Sequence, residues 1–90
     1  MENRDMEEII IDCSRIDSPR EFHRVLAEKL NFPEYYGGNL DALYDCLTQL
    51  CSFTKLRLVD FDKLPTFSRG FRRVMENAQE DNPCLRIYFS

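Results

Sequence analysis

The sequence predicts an α/β fold in which a three-stranded parallel sheet is packed with about three to four helices. Along the chain, strand-like apolar segments alternate with segments of helical periodicity, in the order strand, two helices, strand, helix, strand. Ninety residues, 43% of them hydrophobic, are enough for one small core, so we expect a single domain over residues 1–90. Connections between its parallel strands are expected to be right-handed.

The first strand is expected at Glu8 to Cys13, where three isoleucines follow one another without polar alternation. Such a run is typical of a strand covered on both faces, so we expect it at the centre of the sheet, in strand order 2-1-3. Ser18-Pro19-Arg20-Glu21 reads as a capping box with proline at the first helical position. Apolar residues at helical spacing continue this first helix to about Leu30.

A second helix is predicted after the loop that begins at Pro33, with Asn39 as its N-cap. Asp41 and Asp45 are four residues apart and therefore share one side of this helix. At about 100° per residue, that side lies roughly opposite the apolar stripe. The stripe consists of leucines at spacings of three, four and three, namely Leu40, Leu43, Leu47 and Leu50.

The rest of the chain predicts a strand, a helix and a strand. Lys55 to Phe61 indicates a strand with one better-solvated face or end. Pro65 and Thr66 are expected to open the third helix, and Asn82-Pro83 to stop it. Cys84 to Phe89 alternates apolar with polar residues and predicts the last strand. The inward residues of the third helix are expected to be Phe67, Phe71, Val74, Met75 and Ala78.

The charge distribution points to a basic protein as the partner. Sixteen acids against twelve bases give a net charge of −4, which argues against nucleic acid or an anionic membrane as the direct partner. Residues 31–53 contain Glu34, Asp41 and Asp45 but no lysine or arginine. Tyrosines such as Tyr35 are common at interfaces, whereas Tyr36 fits equally well as closure of the core edge.

Other functional classes find little support in the sequence. No signal peptide and no apolar run of membrane-spanning length is seen, so a cytoplasmic protein is expected. The four cysteines lack C-x-x-C spacing, so we expect free, partly buried thiols, with no metal and no cofactor. An enzyme could use Asp41 and Asp45 as an acid–base pair, or a cysteine with His23 as its base. We expect both aspartates and His23 to be exposed, with no environment that would separate the pKa values of the two carboxylates, and therefore expect no catalytic residue.

The segment PEYYGGNLDALYDCLTQL, from Pro33 to Leu50, resembles the core of the barstar family of intracellular ribonuclease inhibitors. In that pattern, a tyrosine and a glycine precede Asn-Leu-Asp-Ala-Leu, an aromatic residue and an aspartate. The resemblance implies a small α/β fold with a three-stranded parallel sheet. It also implies that the second helix and its preceding loop plug the active site of a basic, extracellular-type ribonuclease, and we expect the free protein to be a monomer.

The resemblance also implies which residues contact the ribonuclease. Asp45 would enter the phosphate pocket, against the arginines and catalytic histidine of the enzyme. The contacts in the loop and second helix would be Tyr35, Gly37, Asn39, Leu40, Asp41, Tyr44, Asp45 and Thr48. A further acidic contact is expected late in the third helix, where Glu76 and Glu80 are the predicted residues and Asn77 and Asp81 remain open.

Four positions depart from the best-known member of the family. Tyr44 and Leu50 replace tryptophans, Gln49 stands in place of a glycine, and Gly38 stands in place of an acid. These changes bear on the identity of the target more than on the fold. The alternative function is therefore an immunity protein of the same fold that neutralises a different toxin nuclease or another basic protein.

Overall fold

A computed structural model describes residues 6–90 and consists of one three-stranded sheet and three α-helices. The predicted α/β class and the parallel sheet are confirmed. Short 3₁₀ turns at Cys13–Arg15 and Phe61–Lys63 follow the first two strands. The elements in chain order are β1 (Met6–Asp12), α1 (Pro19–Leu30), α2 (Leu40–Thr48), β2 (Phe53–Val59), α3 (Ser68–Asp81) and β3 (Leu85–Phe89).

The predicted strand order 2-1-3 is wrong, because β2 lies between β1 and β3. In order 2-1-3, right-handed crossovers would place the first two helices and α3 on opposite faces of the sheet. In order 1-2-3, the same handedness places every helix on one face. The buried residues agree with the second arrangement, since all three helices contribute to a single core with Ile11, Leu56 and Ile87.

The opposite face of the sheet, which we call the outer face, is not covered by any element within residues 6–90. Ile10, Phe53 and Tyr88 point to this side and are 54%, 49% and 43% exposed. Covering of the first strand on both faces, as predicted from its isoleucine run, is therefore wrong. Ile11 is buried while its neighbour Ile10 is exposed, because successive residues of a strand point to opposite faces.

The helix termini follow the local sequence closely. Ser18 Oγ accepts a hydrogen bond from the Glu21 amide at 3.1 Å, as expected of an N-cap. Helix α1 ends at Leu30, where Asn31 takes a left-handed conformation with φ of 60°. The third helix begins at Ser68, a little later than expected, because Pro65 and Thr66 form turns that lead into it.

The core fixes the position of α2 against the rest of the molecule. Leu43 and Leu47 are fully buried, whereas Leu40 and Leu50 are half-buried at the ends of the same stripe. Behind them, the ring of Phe22 stacks on that of Phe71 with centroids 4.5 Å apart. Burying two leucines stabilises the fold by about 3–6 kcal/mol, so α2 is firmly attached along its inner side.

Candidate functional site: an acidic helix face and its loop

The outward side of α2 carries two carboxylates, as the sequence predicted. Asp41 and Asp45 are both exposed, while Leu43 between them is fully buried on the other side of the helix. Glu34 in the preceding loop is also exposed. We call the surface formed by Glu34, Tyr35, Asp41 and Asp45 the acidic face.

The two adjacent tyrosines of the loop have different environments. Tyr35 is 86% exposed, so its ring is presented to solvent as part of the acidic face. Tyr36 is half-buried, and its ring lies 5.0 Å from that of Phe32. Its hydroxyl is 2.6 Å from His23 Nδ1, which ties the loop to α1. Tyr36 therefore closes the edge of the core, and Tyr35 is the tyrosine available to a partner.

The expectation that His23 lies in solvent is wrong, since this residue is only 8% exposed. Its ring packs between those of Tyr36 and Phe71, with centroid distances of 5.7 Å and 4.7 Å. The charged neighbours in sequence are misleading, because His23 lies one turn before Leu26 on the buried side of α1. Burial lowers the pKa of His23, and the imidazole is used structurally rather than as an exposed base.

Two glycines allow the loop to enter α2. Gly38 has a φ of 68°, a left-handed conformation that residues with a side chain adopt at a cost. A Cβ on Gly37 would lie 3.2 Å from Asn39 Nδ2. Asn39 in turn caps the helix, since its Oδ1 accepts from the Ala42 amide at 2.8 Å. Gly37 therefore leaves room for the cap, and Gly38 makes the turn.

Leu40 and Thr48 are held within the protein. A Cβ on Gly70 would lie 3.0 Å from Leu40 Cδ1, so the two helices approach closely at this point. Thr48 Oγ1 donates to the backbone oxygens of Tyr44 and Asp45, at 2.9 Å and 3.1 Å. Leu40 therefore positions α2 against α3, the bonds of Thr48 stay within α2, and Asp41 and Asp45 remain the outward-pointing acidic groups of the helix.

Among the late acids of α3, Asp81 is the one in contact with α2. The hydroxyl of Tyr44 donates a hydrogen bond to Asp81 Oδ2, and this bond raises the pKa of Tyr44. Glu76 instead accepts from Arg72 at 3.1 Å, one turn away on the same helix. Glu80 is exposed. The structure thus brings Asp81, rather than Glu76 or Glu80, into contact with α2.

A buried amide holds the C-terminal end of α2. Asn82 is 5% exposed, and its Nδ2 donates to the backbone oxygens of Leu47 and Leu50, at 2.9 Å and 3.0 Å. Its Oδ1 accepts from the Cys84 amide at 3.0 Å. These carbonyls lie at the C-terminal end of α2, where backbone partners become scarce; the Leu47 oxygen also accepts a long bond of 3.4 Å from the Leu50 amide. The sequence indicated only that Asn82 would stop α3. The one sequence feature that could have indicated this capping role is an asparagine placed between the end of a helix and Pro83.

The described residues contain no group of histidine, cysteine, aspartate and glutamate side chains that could hold a metal ion. All four cysteines are free, and they range from buried Cys13 to exposed Cys51, as predicted. Burial raises the pKa of Cys13 to about 11, so this thiol is unreactive near neutral pH. None of α1, α2 and α3 is long and apolar enough to cross a membrane.

Comparison with known proteins identifies the family of this chain. The sequence profile of the family described as "Barstar (barnase inhibitor)" matches residues 6–89. A protein of Bacillus subtilis (strain 168) named "Putative ribonuclease inhibitor YrdF" is 40% identical over 81 residues, covering 84% of this chain and 89% of that protein. These similarities show that the chain belongs to the barstar family.

Proposed function

We propose that this protein is a cytoplasmic inhibitor that binds a basic, barnase-like ribonuclease and blocks its active site with the acidic face. Inhibition in this mode requires no chemistry by the inhibitor. The observation that carries the proposal is the pair Asp41 and Asp45, exposed one turn apart on a helix whose opposite side buries Leu43 and Leu47 completely. The family membership and the name of the 40% identical relative support it.

The physical basis is mimicry of the RNA phosphate. A ribonuclease presents arginine, lysine and histidine side chains to its substrate, so its cleft carries a strong positive field. Asp45 would accept charge-assisted hydrogen bonds from these groups, and Asp41 would pair with cations at the cleft rim. Because α2 is fixed by Leu43, Leu47 and Asn82, little conformational entropy is lost on binding.

Tyr35 and the two loop glycines would form the second part of the contact. An exposed tyrosine adds apolar area and a hydroxyl at low entropic cost, which suits a position at the rim of the cleft. Gly37 and Gly38 carry no side chains, so the backbone of the enzyme can approach the loop. One helix and one loop are compatible with an interface of roughly 800 Å² per partner.

The late acidic contact of α3 is assigned to Asp81 in this proposal. Tyr44 donates to Asp81, which holds the carboxylate beside α2, and that carboxylate retains further acceptor sites for an arginine of the enzyme. Glu76 is already paired with Arg72 on the surface of α3. Asp81→Asn should therefore weaken binding more than Glu76→Gln, and equal effects would remove Asp81 from the interface.

Titration of the purified protein into several basic microbial ribonucleases tests the proposal. Residual RNA cleavage should fall to zero at one inhibitor per enzyme with a susceptible ribonuclease. Asp45→Ala should weaken inhibition by roughly 10- to 150-fold, because it removes about 1.5–3 kcal/mol of hydrogen bonding to charged groups. Asp62→Ala serves as the matched control, since Asp62 is an exposed aspartate outside α2 and its loop.

Two results would count against this function. If Asp45→Ala inhibited as well as the Asp62→Ala control, the proposed orientation of α2 in the active site would be wrong. If no ribonuclease were inhibited but another toxin nuclease were neutralised, the protein would be an immunity protein of the same fold. Isothermal titration with each enzyme separates binding without inhibition from an absence of binding.

A further inference from the structure

The outer face of the sheet combines positive charge with exposed apolar side chains. The strand register places Glu8, Lys55 and Arg86 in one row across the sheet. The next row consists of Ile10, Arg57 and Tyr88. Each of these rows crosses all three strands, so the side chains form one continuous surface.

This surface has a small excess of cations, since one lysine and two arginines share it with the carboxylates of Glu8 and, in the following row, Asp12. Glu8 lies 3.4 Å from Arg57 Nε and offsets one of the three positive charges of the two rows. Lys55 Nζ and the Arg57 guanidinium both lie 5.5 Å from the ring centroid of Tyr88. The ring thus contacts two cations, an arrangement worth about 0.5–1 kcal/mol for each at an exposed site.

The acidic face and the outer face also contain all the large hydrophobic residues that are exposed within residues 6–90. Tyr35 belongs to the acidic face, and Ile10, Phe53 and Tyr88 belong to the outer face. Exposed apolar groups beside concentrated charge are typical of interaction surfaces. The two surfaces carry opposite charge, so each has the chemistry that the other lacks.

The two surfaces cannot neutralise each other within one molecule. The acidic face belongs to a helix and its loop, and the helices pack on the face of the sheet opposite the outer face. Interactions between exposed charges are screened over about 8 Å at physiological ionic strength. A second molecule, by contrast, can bring its acidic face directly against the outer face of the first.

We propose that the outer face of the sheet binds the acidic face of a second copy of this chain, so that the free protein associates head to tail. This proposal uses the same acidic face as the proposed inhibition but does not require a ribonuclease. It departs from the sequence-based expectation of a monomer. Because each face is complementary to the other and not to itself, the contact is heterologous and allows chains longer than a dimer.

The area of the outer face sets the strength of this association. Three strands about 4.8 Å apart and seven residues of about 3.3 Å give a face of roughly 14 by 23 Å. This is well below the roughly 800 Å² per partner of a stable complex, so the contact is weak. A ribonuclease that takes the acidic face would displace the second copy and leave single inhibitor–enzyme complexes.

Sedimentation equilibrium between about 10 μM and 1 mM protein tests the proposal, over a range suited to weak complexes. At low salt the weight-average mass should rise above the monomer value of 10.7 kDa with increasing concentration. High salt should return it toward the monomer, because exposed charge pairs are screened. A mass that stays at the monomer value at all concentrations would overturn the proposal.

Two complementary variants identify the surfaces. Asp41→Ala/Asp45→Ala removes the two helix carboxylates of the acidic face. Lys55→Ala/Arg86→Ala removes two cations of the outer face. Each variant alone should be monomeric. An equimolar mixture should form dimers and nothing larger, because each variant retains one working face. A mixture that stays monomeric, or variants that associate like the wild type, would contradict the proposal. Arg20→Ala/Arg69→Ala removes two exposed helix arginines and should associate like the wild type.

The same variants separate this proposal from the proposed function and from other ligands. Lys55→Ala/Arg86→Ala should still inhibit a susceptible ribonuclease fully, since its acidic face is intact. Single-stranded RNA and vesicles of anionic lipid are the competing ligands for a basic, aromatic sheet face. If either bound the wild type but not this variant while the protein remained monomeric, the outer face would belong to that ligand and not to a second copy.

Discussion

The acidic face and the residues directly behind it differ in how they use polar groups. In front, Asp41 and Asp45 are exposed carboxylates that do not contribute to the core. Behind them, His23 and Asn82 are buried, and hydrogen bonds link them to the loop and to the end of α2. If the acidic face binds as proposed, binding strength and stability of the fold should depend on different residues, which can be changed separately.

The largest effect on stability is expected from Asn82→Ala. This change removes three hydrogen bonds of a buried amide, to the backbone oxygens of Leu47 and Leu50 and from the amide of Cys84, so the free energy of unfolding should fall by about 2–4 kcal/mol. Urea denaturation measures the loss. Asn77→Ala on the exposed side of α3 is the control and should change stability by less than about 0.5 kcal/mol.

Inhibition by the same variant tests whether binding and stability are separable. Below its unfolding transition, Asn82→Ala should retain inhibition within a few-fold, because the acidic face is unchanged. A loss of inhibition as large as that of Asp45→Ala would mean that binding by the acidic face depends on the buried residues behind it. Asn82 would then control the orientation of α2 in addition to its stability.

Acid should lower the stability of the folded protein through protonation of His23. Burial lowers the pKa of His23 from 6.5, so the unfolded chain binds a proton more readily than the folded one. This contribution to stability is present above pH 6.5 and is lost progressively as the pH falls toward the lower pKa of the folded state. Protonation of the imidazole would also disturb its bond to Tyr36, which holds the loop.

Urea denaturation at several values between pH 7.5 and pH 5 tests the role of His23 against the His23→Gln variant. The wild type should lose more stability over this range than the variant, which has no titrating group at this position. Parallel pH dependence of the two proteins would show that other groups cause the acid sensitivity.

A smaller loss of stability is expected from Gly38→Ala. The φ of 68° places this residue in the left-handed region, where a Cβ costs about 1–2 kcal/mol. Gly38→Asn should lose less, because asparagine adopts this conformation more readily. A shift in the urea midpoint measures both changes. Equal losses for alanine and asparagine would indicate a steric contact rather than backbone strain.

The smallest effect should have the opposite sign. Asp45→Ala removes a like charge one turn from Asp41 and introduces a better helix former, so stability should rise by about 0.3–1 kcal/mol. Asp41→Ala should gain less, because Asp41 lies in the first turn and is favoured by the helix dipole. If Asp45→Ala were instead destabilising, the carboxylate would have a structural role in the free protein.

Local sequence signals were sufficient to predict most of this fold. Ser18 and Asn39 cap helices as expected, and the leucine spacing correctly oriented α2, with Asp41 and Asp45 outward. These features depend on residues within a few positions of one another. Their geometry is fixed by the helix itself, so the sequence pattern carries nearly all the information.

Predictions that required contacts between distant segments were less accurate. The run at Ile10 gave no indication of which face a helix would cover, so the strand order could not be derived from it. Charged neighbours suggested that His23 was exposed, although Tyr36 and Phe71 bury it. The partner of Asp81 is likewise 37 residues away in sequence.

Competition with an active-site ligand tests most directly whether the acidic face enters the active site. A mononucleotide that occupies the phosphate pocket of a susceptible ribonuclease should raise the apparent dissociation constant of the inhibitor in proportion to its concentration. Asp45→Ala should be less sensitive to this competition, because it no longer places a carboxylate in that pocket. An apparent dissociation constant that does not change with saturating mononucleotide would show that the protein binds elsewhere on the enzyme.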